Sequence, residues 1–380
     1  MSRRGRAFAI ISASGTIALA LITLGGFAHL RSADDETTRS TSDARTVSKT
    51  ERIEAIARAQ VWREPAIPVA RASFAPAGTG PNTVDCRFRI SELGGTTPKF
   101  HCLLPSDVEV RVKYGPGDEI PAEAAATRLL AALGFGADRI ALVALLRCFG
   151  CPKEPFVTMK LLEAARAQNV YENVINPDKH ETFEWVAMEH KFAAQPIEAE
   201  GQEGWAFFEL EKVDAAKGGA PRAHVDALRL MALFLAHWDN KSENQRLVCL
   251  ANPWPDGRPC PAPFLLLQDV GSTFGPKRLD LEGWARAPIW DDRANCTVSM
   301  RDFPYDGGTF GSARISEAGR QFLATRLAAV DDRQLTDLFS SARFDQPRSP
   351  LDRPSPVSDW VRVFKQRVKT ISDGPLCPAQ

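Results

Sequence analysis

Two periods of apolar residues run along this chain, and the changes between them mark its elements. Cys86–Ile90 alternates apolar and polar positions, and Phe100–Leu104 and Val108–Lys113 read the same way. A period of two predicts strands with one buried face. The Gly94–Pro98 segment between the first two predicts a turn. The Ala- and Leu-rich run Pro121–Leu133, stopped by Gly134, predicts a helix. Val157–Leu162 predicts a further strand, and Thr182–Met188 a segment leading into a connection. Residues 222–237 predict an apolar helix, and Phe264–Gln268 a buried strand. Residues 276–312 read as irregular. Helices are predicted again over 316–330, over 332–342 with Asp332 as candidate cap, and over 357–371.

The first eighty residues do not share this patterning. Arg3, Arg4 and Arg6 precede an uncharged apolar run, Ala7–Leu30, and Asp34, Asp35 and Glu36 follow it. That length suits a membrane span, and the flanking charges predict a cytoplasmic N-terminus with the remainder exported. Gly26-Phe27-Ala28 offers a small-x-small cleavage pattern, which would instead leave a periplasmic or secreted protein. Residues 31–50 are polar and lack aromatics, as a tether does, and 51–62 predict a short helix. Pro65, Pro68, Pro76 and Pro81 then interrupt the chain, so the main fold is expected to start near Asn82.

Lysines and arginines equal aspartates and glutamates, at 47 each, so no bulk field favours nucleic acid. Eight cysteines in a chain with an export signal predict disulfides. The turn-rich segment between Cys249 and Cys260 favours pairing those two. Cys86 with Cys102 is a second candidate, and Cys148 with Cys151 a third, which would leave Cys296 to Cys377. Spacing alone does not fix this connectivity. A Cys-x-x-Cys pair also suits redox or zinc chemistry, but no second such pair completes a metal site.

The densest chemistry lies after the 222–237 helix. His237, Asp239, Lys241 and Asn244 form His-x-Asp-x-Lys-x-x-Asn, and the strand at 264–268 ends in Asp269-Val270-Gly271. An acid, a cation, an amide and a second acid are the groups that phosphoryl transfer uses. Asp239 can accept a hydroxyl proton and Lys241 can neutralise phosphate charge. Asn244 and Asp269 supply hard oxygens that suit Mg2+ or Mn2+. The bland alternatives are turn residues after a helix and after a strand.

On these residues the chain resembles the protein-kinase-like superfamily, in the style of atypical, secretory-pathway kinases. His237–Asn244 is similar to the catalytic loop with Trp238 in place of Arg, and Asp269-Val270-Gly271 is similar to Asp-Phe-Gly. The resemblance spans about residues 85–345 and implies an α+β, two-lobed fold with a β-rich small lobe and a mainly helical large lobe. It implies an N-lobe over 82–190 and a C-lobe over 191–345. The signal or anchor (1–30), a linker (31–81) and a C-terminal helix and tail (346–380) would flank them. Lys113 then matches the strand lysine that holds ATP phosphates, and Glu123 its helix partner, with Glu119 a competitor. Gly94 and Gly95 would cover the phosphates. The plain readings are an edge-strand lysine, a first-turn glutamate and a hairpin turn. The implied activity is metal-dependent transfer from ATP to a hydroxyl of protein, sugar or lipid. The rivals are a nucleotide- or partner-binding pseudokinase and a non-enzymatic, disulfide-stapled envelope protein.

Overall fold

Why the first helix begins where it does is settled by one serine. Strand β1 (Arg45–Val47) leads into α1 (Lys49–Arg58). The Ser48 hydroxyl accepts the Glu51 N–H at 3.2 Å, and the Glu51 carboxylate accepts the Ser48 N–H at 2.9 Å. Each bond satisfies a donor that the first helical turn leaves open. The structure, a computed structural model, describes residues 44–74, 83–276, 278–301, 303 and 310–378.

Next come β2 (Thr83–Arg89), β3 (Lys99–Leu103), β4 (Glu109–Lys113), α2 (Glu119–Leu133), β5 (Arg139–Phe149), α3 (Pro155–Ala164), α4 (Gln168–Val174) and β6 (His180–His190). The five strands close into a barrel in the order β2-β3-β4-β6-β5. Alternation fills it: Cys86, Phe88, Phe100, Cys102, Val110 and Val112 meet in one apolar cluster. The other face of β3 and β4 is also buried, yet it carries Lys99, His101, Arg111 and Lys113. Helix α2 is buried along almost its whole length and stops at Gly134, whose φ of 90° is left-handed. A Cβ at Gly134 would lie 2.3 Å from the Arg63 carbonyl oxygen, so glycine is required there twice over.

The remaining strands and helices build a second, larger core. Strands β7 (Gln195–Ala199), β8 (Gln245–Cys249) and β9 (Pro263–Leu267) form a sheet in the order β1-β7-β8-β9. Helix α5 (Arg222–Leu235) lies between β7 and β8 in the chain and is buried throughout its last three turns. Then follow α6 (Leu281–Arg286), the short pair β10 (Thr297–Val298) and β11 (Ala313–Arg314), and α7 (Glu317–Ala328), α8 (Asp332–Ser341) and α9 (Val357–Ser372). Phe234, Phe274, Trp284, Phe339, Phe344, Trp360 and Phe364 pack edge to face or tilted at the centre of this core. The architecture is therefore mixed α+β.

Several expectations are corrected. Val157–Leu162 is helical, within α3, because Pro155 opens the segment at a position where a proline's missing N–H costs nothing. Among the strands that sequence patterning missed is β5, a nearly continuous apolar run that pairs with both β2 and β6. Residues 276–312 contain a helix, α6, whose first turn is capped by Asp280 accepting the Gly283 N–H at 2.9 Å. The cap of α8 is Asp331, not Asp332, because Gln334 stands three residues on and closes the reciprocal box with it.

All four cysteine pairs are bridged: Cys86–Cys102, Cys148–Cys151, Cys249–Cys260 and Cys296–Cys377, with Cα separations of 5.7, 5.5, 5.7 and 5.5 Å. Four disulfides fit an oxidising compartment. The Cys-x-x-Cys pair closes on itself, which leaves no free thiol among the described residues.

The membrane placement is also corrected. Among the described residues no helix is long and apolar enough to cross a membrane. The longest, α9, has 16 residues and one buried face built from Trp360, Val363, Phe364 and Ile371. The run Ala7–Leu30 lies outside the described residues, so no anchor is assigned.

Candidate phosphoryl-transfer site

Helix α5 ends at Ala236, whose left-handed φ of 53° turns the chain away from the helix axis. His237 follows, fully buried. Its Nε2 lies 3.3 Å from the Gln245 amide nitrogen, a contact that helps orient the ring. Burial pulls its pKa down to about 4, against the opposing pull of Asp269 and the Ser272 backbone, so the ring is neutral at physiological pH.

The loop then closes on itself. Asn244 is buried, and its Nδ2 donates to the Asp239 carbonyl oxygen at 2.8 Å. That bond leaves Oδ1 as the end of the amide that a cation can use. The Gln268 N–H donates to the Asn244 carbonyl at 3.0 Å, which ties the loop to the end of β9. The Trp238 N–H donates to the Ser272 carbonyl at 3.3 Å. Asp239 and Asp269 are thereby fastened to two adjoining segments and feel each other's charge. Burial, then Asp269, raises the Asp239 pKa, while Lys241 and Arg278 oppose the rise.

Lys113 is the centre of the arrangement. It is fully buried at the end of β4, and its Nζ meets Glu119 at 2.9 Å, Glu123 at 3.0 Å and Asp269 at 3.0 Å. An ammonium has three protons, and here each has a carboxylate. Glu119 and Glu123 stand one turn apart on α2, so both the expected partner and its competitor are used. Asp269 takes a positive φ of 42°. Burial opposes its ionisation, but Lys113, Arg111 and Lys99 outweigh that and hold its pKa well below the usual carboxylate range. Glu123 behaves differently. Burial, together with Asp269, Glu189 and Glu119, overcomes Lys113 and pushes its pKa up to about 8. Gly271 makes room for this packing, since a Cβ there would lie 2.2 Å from the Glu119 Cγ.

The Gly94-Gly95 turn reaches the same place. Gly95 has φ of 66°, and a Cβ on it would lie 3.2 Å from the Lys99 Nζ. Gly94 precedes it in the same loop, and Thr97 follows, donating to Glu119 Oε2 at 2.5 Å. Arg278 Nη2 lies 3.5 Å from that same oxygen.

Sequence reasoning missed Thr97, Arg278, Lys99 and Arg111. Two of these carried a signal. Arg111 shares the face of β4 with Lys113 by the period of two, and Lys99 is the register partner of Lys113. Arg278 lies in a segment without periodicity and had none.

Carboxylate oxygens of Glu119, Glu123 and Asp269 all lie within 4.8 Å of one another. Hard oxygens in that number, with an amide oxygen on Asn244, fit Mg2+ or Mn2+ as a donor set. The convergence of three carboxylates from α2 and the segment after β9 is the observation that favours a cation here.

A second ionic group adjoins the first. Arg111 Nε donates to Glu189 at 2.7 Å, and Lys191 pairs with both Glu189 and, at 3.2 Å, Asp138. The Phe192 N–H donates to the other Asp138 oxygen at 2.7 Å. Arg246, on β8 two residues beyond Asn244, lies 3.7 Å from that oxygen.

No family model and no curated protein matches this chain. Among solved structures, the Helicobacter pylori proinflammatory kinase CtkA is similar at a TM-score of 0.39 and 11% identity. The match covers 76% of this chain and 95% of that one. Likeness at that level is weak and carries no argument about this site.

Proposed function

We propose that this chain is a two-lobed, kinase-like phosphotransferase that moves the terminal phosphate of a nucleoside triphosphate to a hydroxyl acceptor. The observation that carries this reading is Lys113, held by Glu119 and Glu123 from one helix and by Asp269 from another segment, next to Asp239. A lysine fixed in this way presents a charge that cannot swing away, which suits the non-reacting phosphates of the donor.

Asp239 accepts the proton of the attacking hydroxyl. Burial and the neighbouring Asp269 raise its pKa, which makes it a stronger base than a surface aspartate. Lys241 and Arg278 supply positive charge beside it, where negative charge gathers on the transferred phosphate. The loop bonds from Asn244 and Gln268 hold these groups in one geometry before substrate arrives. Asp269 and Asn244 would hold Mg2+ or Mn2+, which when bound neutralises charge on the phosphates.

The test follows labelled terminal phosphate from Mg2+-bound ATP and GTP to the protein itself, to hydroxyl-bearing acceptors and to water. Wild-type protein should transfer label. Asp239→Asn should bind donor with nearly unchanged affinity and turn over on the order of 100- to 10,000-fold more slowly. Binding with no transfer by wild type would replace this reading with that of a nucleotide-binding pseudokinase. Equal turnover by both proteins would remove Asp239 from the chemistry.

A further inference from the structure

Two disulfides stand side by side in the five-stranded barrel, and the phosphate chemistry uses neither. Cys86–Cys102 ties β2 to β3. Cys148–Cys151 closes the Cys-x-x-Cys turn at the end of β5. Cys86, Cys102 and Cys148 are buried in one apolar cluster, and Cys151 is half-buried at its edge. The Cys102 and Cys148 sulfurs are 3.8 Å apart, and those of Cys86, Cys102 and Cys148 all lie within 4.8 Å of one another. No other three cysteines meet in this way among the described residues.

The strand register supplies an alternative pairing. Cys86 and Cys148 are direct partners on the parallel strands β2 and β5, and both side chains enter the same cluster. Neighbouring strands run about 4.8 Å apart, inside the Cα range that a disulfide accepts. Access differs among the four in the order that exchange needs. A bridge opens when a thiolate attacks one of its sulfurs, and Cys151 is the one residue of the four that is not buried. Attack there releases Cys148 among apolar side chains, where a thiolate is poorly held, and beside a second bridge.

We infer that Cys148–Cys151 is a thiol–disulfide exchange site that takes a dithiol as its substrate and passes the electrons on to Cys86–Cys102. The donor thiolate attacks the Cys151 sulfur, and Cys148 leaves with the bonding pair. The donor's second sulfur then closes the donor's own disulfide and frees Cys151 as a thiol. Cys148 attacks the Cys86 sulfur, and Cys102 leaves with that pair and takes up the second of the donor's two protons. One dithiol is oxidised, two protein bridges become one, and Cys86–Cys148 remains. The staple thereby moves from the β2–β3 hairpin, whose connection carries Gly94 and Gly95, to the β2–β5 pair.

The test treats the full, oxidised chain with substoichiometric dithiothreitol, quenches with acid, alkylates free thiols and maps the bridges by non-reducing peptide mass spectrometry. The expected product is a Cys86–Cys148 linked peptide, with alkyl groups on Cys102 and Cys151 and with Cys249–Cys260 and Cys296–Cys377 intact. Cys151→Ser frees Cys148 without any reductant, so the same link and an alkylated Cys102 should appear in the untreated variant. Cys148→Ser should keep Cys86–Cys102 bridged at the same dithiothreitol concentration. The wild-type map decides even if a variant fails to fold. Alkylation of Cys148 and Cys151 over an intact Cys86–Cys102 bridge overturns the inference, as does a Cys102–Cys148 link. Reduction that spares Cys148–Cys151 overturns it too.

Discussion

The ionic group around Lys113 and the one that joins Arg111, Lys191 and Arg246 beside it are made from the same kinds of residue with opposite imbalances. At the first, one ammonium serves three carboxylates. At the second, three cations share two carboxylates. Excess acid has a local remedy: burial and its acidic neighbours push the Glu123 pKa up to about 8, toward the neutral form. Excess guanidinium has none, because arginine does not deprotonate in proteins. The two groups therefore differ in how an imbalance of charge can be relieved: the first can hold a proton, the second depends on its contacts alone.

Stability measurements can break this contrast. Lys113→Ala should be the most damaging substitution, at roughly 3 to 5 kcal/mol, because it strands buried carboxylates. Chemical denaturation reads this directly, and a loss below about 1 kcal/mol would mean the carboxylates find other partners. Separating Cys249 from Cys260 by serine substitution should cost about 2 to 4 kcal/mol. That bridge spans the loop between β8, which carries Arg246, and β9, which leads to Asp269. Urea midpoints of oxidised wild type and the double variant would show it.

His237 gives the pH test. Its folded pKa, about 4, lies below the ordinary 6.5, so the folded state favours the neutral ring. The stability it contributes is present above pH 6.5 and disappears as pH falls through about 4. Denaturation between those limits should show wild type losing up to about 3 kcal/mol relative to His237→Gln. Parallel curves for the two proteins would contradict a buried neutral histidine.

The smallest effects sharpen the comparison most. Arg246→Leu removes a charge that has no hydrogen-bonding acceptor, so stability should change by about 1 kcal/mol or less, or rise. Glu123→Gln replaces a carboxyl whose pKa is already pushed up to about 8, and about 1 kcal/mol is again the limit. Thermal melts of both in the absence of ligand would find either exception.

The sequence carried the elements best where one face is apolar and the other polar. The strands near 86–90 and 108–113 and the helices after 222 and 316 were legible for that reason. It failed at β5, where both faces are covered and no alternation survives, and at α3, whose apolar run hid a proline-started helix. In the site, Lys113, Glu123 and Asp269 were identified from their order along the chain, and the structure brings them together. Arg246 was not, since a single arginine in a strand looks like a surface residue until its surroundings are known. Thr97 and Arg278 reach Glu119 from loops that leave no periodic trace.

The central claim is that Asp269 and its neighbours form a metal-dependent phosphate site. Its most direct test is calorimetry of nucleoside triphosphate binding to wild type and Asp269→Asn, each with and without Mg2+. Wild type should bind with Mg2+ and bind at least about 10-fold more weakly without it. Asp269→Asn should show the weak affinity in both conditions. Binding by wild type that ignores Mg2+, or that the substitution leaves unchanged, would contradict the account.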